Sequence, residues 1–512
     1  MTIVRGRDLT DGFTESCDVV VVGSGAGGAV FARIAAEAGR DVIVLEEGGY
    51  YAPEEYGRFR PSESLARLGR EGGMSAAIGL GDTPLIVVNM GRAVGGSSLW
   101  TGAVCFRIPD RVLDEWVREH GLTDLSPRHM ESAFEEVERN LEVQEVPSAM
   151  ISRSSALFAE GGRQMGVEFA RLRRNTVGCD GCSRCTFGCP HGAKRSVDLS
   201  YLPQAREHGA VVYSDCLVER VVVERERAVG VRGRILGPPQ GRPTHRFEVR
   251  AKLVVVACGT LHTPKLLATA GVGRASRQLG RNVTLHPGFR VTALFDEEVL
   301  GWRGAMQSIT SDHFHEEGIL LNSVYSAPSV LAAGMPGVGP TLARYARQMR
   351  HVAVFGGMVH DSAGGTIRSI PFSREPALFY RMDPRDKARG IRAIALLAEM
   401  AFLAGAREVM IPMFGAPPIR TMDDVRRFAS SAPPGPRLEC FSQHPLGSAR
   451  MATDALRGVV SSRGETFELG GLVVADGSVV PSSLGVNSQV PVMAMATRIA
   501  HLAMEDWRRH AA

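Results

Sequence analysis

Lysine is nearly missing from this chain: Lys194, Lys252, Lys265 and Lys387 are the only ones among 59 basic residues. The positive charge is arginine, which reads as the codon usage of a GC-rich bacterial genome and not as a surface adapted to phosphates. Net charge is slight as well, +4 over 512 residues, too little to announce a nucleic-acid partner. No run of 18 or more apolar residues occurs, so no helix is expected to span a bilayer. The opening stretch, "MTIVRGRDLTDGFTESCDVVVVG", has no apolar segment ahead of a small-residue cleavage site. A secretory leader is therefore not expected, and the cytoplasm is the expected compartment. There is no internal repeat and no low-complexity tail.

What is present is ordinary in bulk and specific in pattern. Hydrophobic residues make up 44% and charged residues 22%, as in globular proteins at large, and the length has room for roughly two to four domains. Residues 18–22, "DVVVV", are a β-branched run ending in "GSGAGGAVFARIAAEAG". The latter turns helical, with small residues where it presses on a sheet. "DVIVLEEGG" follows as a second buried strand. That βαβ start predicts an α/β fold with a parallel sheet covered by helices. Between 200 and 260, "VVYSDCLVERVVVERERAVGVRGRIL" and "RFEVRAKLVVVACGT" predict a β-meander returning to a buried strand, with "PPQGRPTH" as a loop. Later, "RVTALFD" and "HVAVFGGMVHD" read as strands and "RDKARGIRAIALLAEMAFLAGA" as a helix. "PVMAMATRIAHLAMEDWRRH" reads as an amphipathic helix with Pro491 near its first turn, where proline is tolerated.

Gly23, Gly25 and Gly28 spell G-x-G-x-x-G between a strand and a helix. The first two allow a tight turn and close approach to a pyrophosphate, and the third lets helix and strand pack closely. Ser24 and Ala26 lie within the same turn. The helix N-terminus offers free N–H groups and a positive dipole end. Glu46, about 20 residues on, stands where an acid binds ribose hydroxyls. The pattern predicts a dinucleotide site without separating FAD from NAD.

Four further stretches carry a resemblance. "GRAVGGSSLWTGAVCFR" (91–107) resembles the flavin-contacting first signature of the glucose–methanol–choline (GMC) oxidoreductases. "GTLHTPKLLATAGVG" (259–273) resembles their second signature, departing at Ala270, where serine is usual. "FSQHPLGSARM" (441–451) and "VVADGSVVPSSLGVNSQVPVMAMA" (473–496) resemble the C-terminal active-site segment. The resemblance implies a Rossmann-like FAD-binding domain and a discontinuous second domain of antiparallel sheet plus helices. It also implies hydride removal from an alcohol carbon. His444 matches the catalytic histidine, and its unperturbed pKa near neutrality suits a base. Asn487 matches the asparagine-or-histidine position and would orient the substrate oxygen; it precedes the last helix, whose positive end would face the flavin. Cofactor contacts implied are Arg92, Gly95, Gly96, Ser97, Trp100, Thr101 and Gly102, then Val218 beside adenine, Cys258, Gly259, Asp476, Gly477 and Ser488. Trp100 stands where some members attach FAD through histidine, so FAD is expected to be non-covalent. Thr101 stands where many have asparagine.

Cys179, Cys182, Cys185 and Cys189 follow C-x2-C-x2-C-x3-C-P, a ferredoxin-like spacing. Three readings stay open. An iron–sulfur cluster is suggested by "CPHGA" (189–193), which resembles the cysteine loop of cluster-bearing GMC sugar dehydrogenases. Reduced packing cysteines are suggested by "C-x2-C-x3-C-x2-G-x-K" (182–194), which resembles long-chain alcohol oxidases. Structural zinc prefers two separated pairs. Disulfides are the least expected state in a reducing compartment.

These readings give an expected division into FAD-binding segments 1–110, 200–290 and 455–512, a cap with the cysteine loop at 111–199, and a substrate domain at 291–454. The expected activity is FAD-dependent oxidation of an alcohol or sugar-like CH–OH group, as a dehydrogenase whose electrons, if the cluster is present, leave through it to a protein or quinone. The alternatives are an oxidase releasing hydrogen peroxide and a flavin-containing lyase of the hydroxynitrile type. "SAPSVLAAGMPGVGPTLARYARQM" (326–349) reads as a loop and packed helix, the other reading being an apolar lid over a lipophilic alcohol.

Overall fold

Val19, Val20, Val21 and Val22 close the strand Phe13–Val22 with every side chain buried. Branched side chains favour the extended pleat, and each contributes about 1.5–3 kcal/mol by leaving water. In this computed structural model, which describes residues 3–237, 241–335, 338–362 and 364–511, the strand lies at the centre of the first of two large sheets. It pairs in parallel with Val42–Leu45 on one side and Pro243–Val256 on the other. The order runs Ile3–Arg5, Val211–Ser214, Val42–Leu45, Phe13–Val22, Pro243–Val256, Arg227–Leu236, Cys216–Glu224, with Leu472–Val474 also on Pro243–Val256. The 200–260 meander is present as the antiparallel limb. Residues 238–240 of "PPQGRPTH" lie outside the described residues, and Pro243 already begins a strand.

The second sheet is largely antiparallel. Gly288–Leu294 pairs with Val352–Val359, which pairs with Ile319–Ser323. Helices Pro384–Leu403 and Arg153–Arg163 cover it. They approach closely because Gly161 has no side chain: a Cβ there would stand 1.9 Å from the Met400 carbonyl oxygen. Asp383 caps the longer helix by accepting the Arg385 N–H at 2.8 Å, satisfying a donor the first turn leaves free.

Three expectations are corrected and one holds. Strands Ala76–Gly79 and Leu85–Val88 belong to the second sheet, beside Ala377–Tyr380 and Glu439–Ser442, so the 1–110 segment is shared between sheets. The 111–199 segment is no separate cap: Trp116, Phe134 and Val137 enter the first core, Leu157 and Phe158 the second. Gln489–Glu505 is not amphipathic over most of its length; its first nine residues are all buried, because it is sandwiched between the helices Ala26–Glu37 and Pro127–Asn140. The reading of 326–349 as loop and packed helix holds: short helices Pro328–Ala333 and Pro340–Arg347 pack into a satellite cluster with Tyr345 and Met349. None of the described residues of that stretch lines the main cavity.

Candidate active site

The carboxyl ends of the parallel strands meet one cavity of about 490 Å³, the usual place for a ligand in an open α/β sheet. Gly23 follows Val22 with φ +103, and a Cβ on it would stand 2.3 Å from the Ala257 carbonyl oxygen. Gly28 lets the helix settle on the turn: a Cβ there would lie 1.9 Å from Gly23 O. Ser24 is fully buried; its N–H and Oγ–H both donate to Glu46 Oε2, at 3.0 and 2.7 Å, while Gly48 N–H donates to Oε1 at 2.9 Å. Ser24 Oγ in turn accepts the Gly95 N–H at 3.0 Å. One serine thus ties both glycine loops to the acid, whose oxygens keep lone pairs for a further donor.

At another wall stand His444 and Asn487. His444 follows the strand Glu439–Ser442, and Ser442 Oγ accepts its N–H at 3.2 Å. Asn487 lies two residues before the helix Gln489–Glu505. His444 Nε2 and Asn487 Nδ2 are 3.3 Å apart. His444 Nδ1 and Asn487 Oδ1 are buried without a protein partner, which is where a ligand is expected to supply one. Burial first, and the neighbouring His286 second, push the His444 imidazolium down to about 3, so the ring stands neutral. His286, 5.5 Å from it ring to ring, has φ +49, a left-handed conformation costing an L-residue roughly 1–2 kcal/mol.

Of the residues expected to touch a cofactor, Gly23, Gly25, Ala26 and Glu46 line this cavity. So do Gly96, Ser97, Thr101, Gly102 and Val218. Cys258, Gly259, Asp476, Gly477, Asn487 and Ser488 complete the set. Asp476 is occupied with protein donors: Oδ2 accepts Gly259 N–H at 2.9 Å and Oδ1 accepts Ser478 N–H at 2.8 Å. Five others do not line it. Ser24, Gly28 and Gly95 shape the turns from behind. Arg92 is buried near Glu71 at 3.9 Å. Trp100 sits in a separate cluster with Tyr56 and Leu68, edge-on to Phe187.

Sequence reasoning missed a charged group on the cavity wall. Arg70 is buried and pairs with Glu47 and, at 2.8 Å, Glu375; the latter's other oxygen meets His262 Nε2 at 3.1 Å. Burial alone raises the Glu375 carboxyl, but His262 and Arg70 together outweigh it and hold it down to about 2. Burial pushes His262 down to about 4. Lys265 donates to the carbonyls of Ser373 and Arg374 at 2.7 and 2.8 Å. Gln489 was missed too; its Oε1 accepts from Thr101 Oγ at 2.8 Å. The available signal was scarcity: two of the four lysines do structural work here.

The other is Lys194, buried behind the first-signature loop. Its Nζ donates to Ser98 O, Leu99 O, Thr101 O and Cys185 O at 3.0, 2.7, 3.3 and 2.9 Å. Burial lowers its pKa to about 8. Arg174 donates to Gly102 O at 2.9 Å and to Cys185 Sγ at 3.0 Å. The cysteine loop is therefore a buttress for residues 98–102. All nine cysteines are free thiols. Among the described residues, the one trio of metal-competent side chains with donor atoms within 4.8 Å of one another is Asp180, Cys182 and His191. Zinc thiolates would stand roughly 4 Å apart, so Cys179, Cys182, Cys185 and Cys189 are not arranged as a zinc cage. The iron–sulfur reading finds no support in this arrangement either, since Cys185 is turned to a guanidinium and Cys182 to a half-exposed Asp–His pair. No step is derived through a cluster.

Models of the GMC oxidoreductase family match residues 17–288 and 371–496. An uncharacterised GMC-type oxidoreductase of Mycobacterium tuberculosis is 38% identical over 501 residues, spanning 98% of this chain and 77% of that protein. A long-chain-alcohol oxidase of Arabidopsis thaliana is 28% identical, over 97% of this chain and 67% of its own. Among solved structures, pyridoxine 4-oxidase from Mesorbium loti superimposes with TM-score 0.71 at 18% identity, covering 95% of this chain and 99% of that one. Those neighbours share the Rossmann-like fold read above.

Proposed function

Because this chain belongs to the GMC oxidoreductase family, we propose that it binds FAD in the cavity and oxidises the CH–OH group of a neutral alcohol or sugar-like substrate there. One observation carries the reading: His444 and Asn487 face each other at 3.3 Å on the wall of the same cavity that the G-x-G-x-x-G turn and Glu46 line. The residues fit the group. Gly259 borders open space, with nothing within 4 Å of an added Cβ, and the Gly23–Ala26 turn and Glu46 would hold the adenosine diphosphate portion. Gly96–Gly102 and Asn487–Ser488 would hold the flavin portion. When bound, FAD supplies the acceptor for the hydride leaving the alcohol carbon.

This chain's own part is proton handling and orientation. His444, neutral, takes the hydroxyl proton at Nε2. Asn487 Nδ2 donates to the same oxygen and fixes which hydrogen on carbon is presented. Trp100, buried in its own cluster, offers no attachment point, so FAD is held without a covalent bond. Dehydrogenase action, with a protein or quinone as acceptor, is the first form of this proposal. Oxidase action is the second, favoured by the names of relatives: long-chain-alcohol oxidases and a cholesterol oxidase. An anaerobic panel of sugars, sterols and long-chain alcohols, read by bleaching of the flavin band, tests both. Peroxide formed on admitting air selects the oxidase, and a flavin that no alcohol bleaches points to the lyase and ends the proposal.

A further inference from the structure

The two residues of the reacting pair lie on separate segments, and residues 284–286 join them. On one side, Leu285 O accepts from Ser442 Oγ, and Thr284 and Leu446 exchange N–H···O bonds at 3.1 and 3.0 Å. Those contacts flank His444. On the other side, His286 Nε2 accepts two backbone N–H groups, from Leu484 at 2.9 Å and from Gly485 at 3.3 Å. That turn leads directly into Asn487.

A nitrogen that accepts carries no proton, so the proton of the neutral ring sits on Nδ1, which is buried without a partner. His286 is 1% exposed. Its left-handed backbone is clamped by Asp361, whose oxygens accept the N–H of Leu285 at 2.9 Å and of His286 at 3.0 Å. Asp361 also accepts from Tyr380 Oη at 2.6 Å and Ser483 Oγ at 3.1 Å. The groups facing the ring are thus His444, His360, which bonds the Ser483 carbonyl at 3.1 Å, and the saturated Asp361. Among the described residues, no free carboxylate is there to stabilise an imidazolium. Burial and His360 keep the ring's pKa far down, at about 3. A protonated ring would expel both N–H groups and release the turn.

We propose that His286 is a positioning residue: as a neutral imidazole protonated on Nδ1, it sets the 484–488 turn and thereby the placement of Asn487, and of the positive end of the helix Gln489–Glu505, against His444. The proposal rests on the FAD reading for its consequence but not for its chemistry, and two measurements separate them. In protein labelled with 15N-histidine, one ring, lost in His286→Gln, shows protonated Nδ1 and bare Nε2 from pH 8 to pH 5. Protonation on Nε2, or titration near 6.5, overturns the proposal whether or not FAD binds. In FAD-loaded protein, His286→Leu keeps the volume but loses the acceptor, and shifts the flavin midpoint potential to more negative values. His286→Gln places an amide oxygen at similar reach and restores it. A Gln variant shifted as far as the Leu variant, or neither shifted, also overturns it. Protein that never takes up FAD removes the proposed function while the labelling result still stands. Where the Leu variant does not fold, the tautomer and the Gln variant decide.

Discussion

Two histidines on this cavity have had their pKa lowered by the same cause, and only one is left wanting a partner. Burial holds His262 at about 4 and His444 at about 3. His262 spends its Nε2 on Glu375, which Arg70 also grips, so that wall is closed by protein alone. His444 meets only an amide at 3.3 Å through Nε2 and keeps an Nδ1 without a protein partner. Buried polar groups cost free energy unless they are satisfied. A wall where they are all satisfied is built to hold shape, and a wall where they are not is built to receive something.

The sharpest way to break that contrast is to exchange the two roles. His444→Ala should slow anaerobic flavin bleaching by a productive alcohol by roughly 10²–10⁴-fold with the fold intact; stopped-flow traces unchanged from wild type would refute the base. Asn487→Leu should cost somewhat less, roughly 10²–10³-fold in bleaching rate per bound FAD, as for loss of one positioned donor. Acid comes next. The folded pKa values of His262, His286 and His444 all lie below the usual 6.5, so the unfolded chain binds protons that the folded chain refuses. Stability is therefore full above pH 6.5 and falls below it, by up to about 1.4 kcal/mol per pH unit for each ring. Urea midpoints measured between pH 7.5 and 5 should show it, and a flat profile would mean the rings reach water. The smallest effect belongs to the closed wall. His262→Gln should cost about 1 kcal/mol of stability and leave the bleaching rate within roughly threefold; a loss as large as that of His444→Ala would erase the distinction.

The same division governs what could be read in advance. The strand, turn and helix from Phe13 to Glu37 were legible because their causes are local: valine sterics, a left-handed glycine, small residues against a sheet. The signatures located His444, Asn487 and most of the cavity wall. They also suggested Trp100 and Arg92, which face elsewhere, since a motif records which loop is used and not which way each side chain turns. Arg70 and Glu375 carried no motif, and His262 and Gln489 stood unremarked inside the signatures, because the meaning of all four is their partner. The cysteine spacing suggested a metal, and the fold used the loop to prop residues 98–102 through Arg174 and Lys194 instead.

By itself, then, the chain's sequence determined a Rossmann-like start and a dinucleotide turn, because steric preferences act within a few residues, while its family resemblance marked two candidate reacting residues. Tertiary structure alone decided that Arg70 meets Glu375 across 305 positions and His444 meets Asn487 across 43. It alone set His286 between the segments carrying the pair. Such meetings require two sheets to close on each other, and burial in that closed space is what turns ordinary imidazoles into neutral ones.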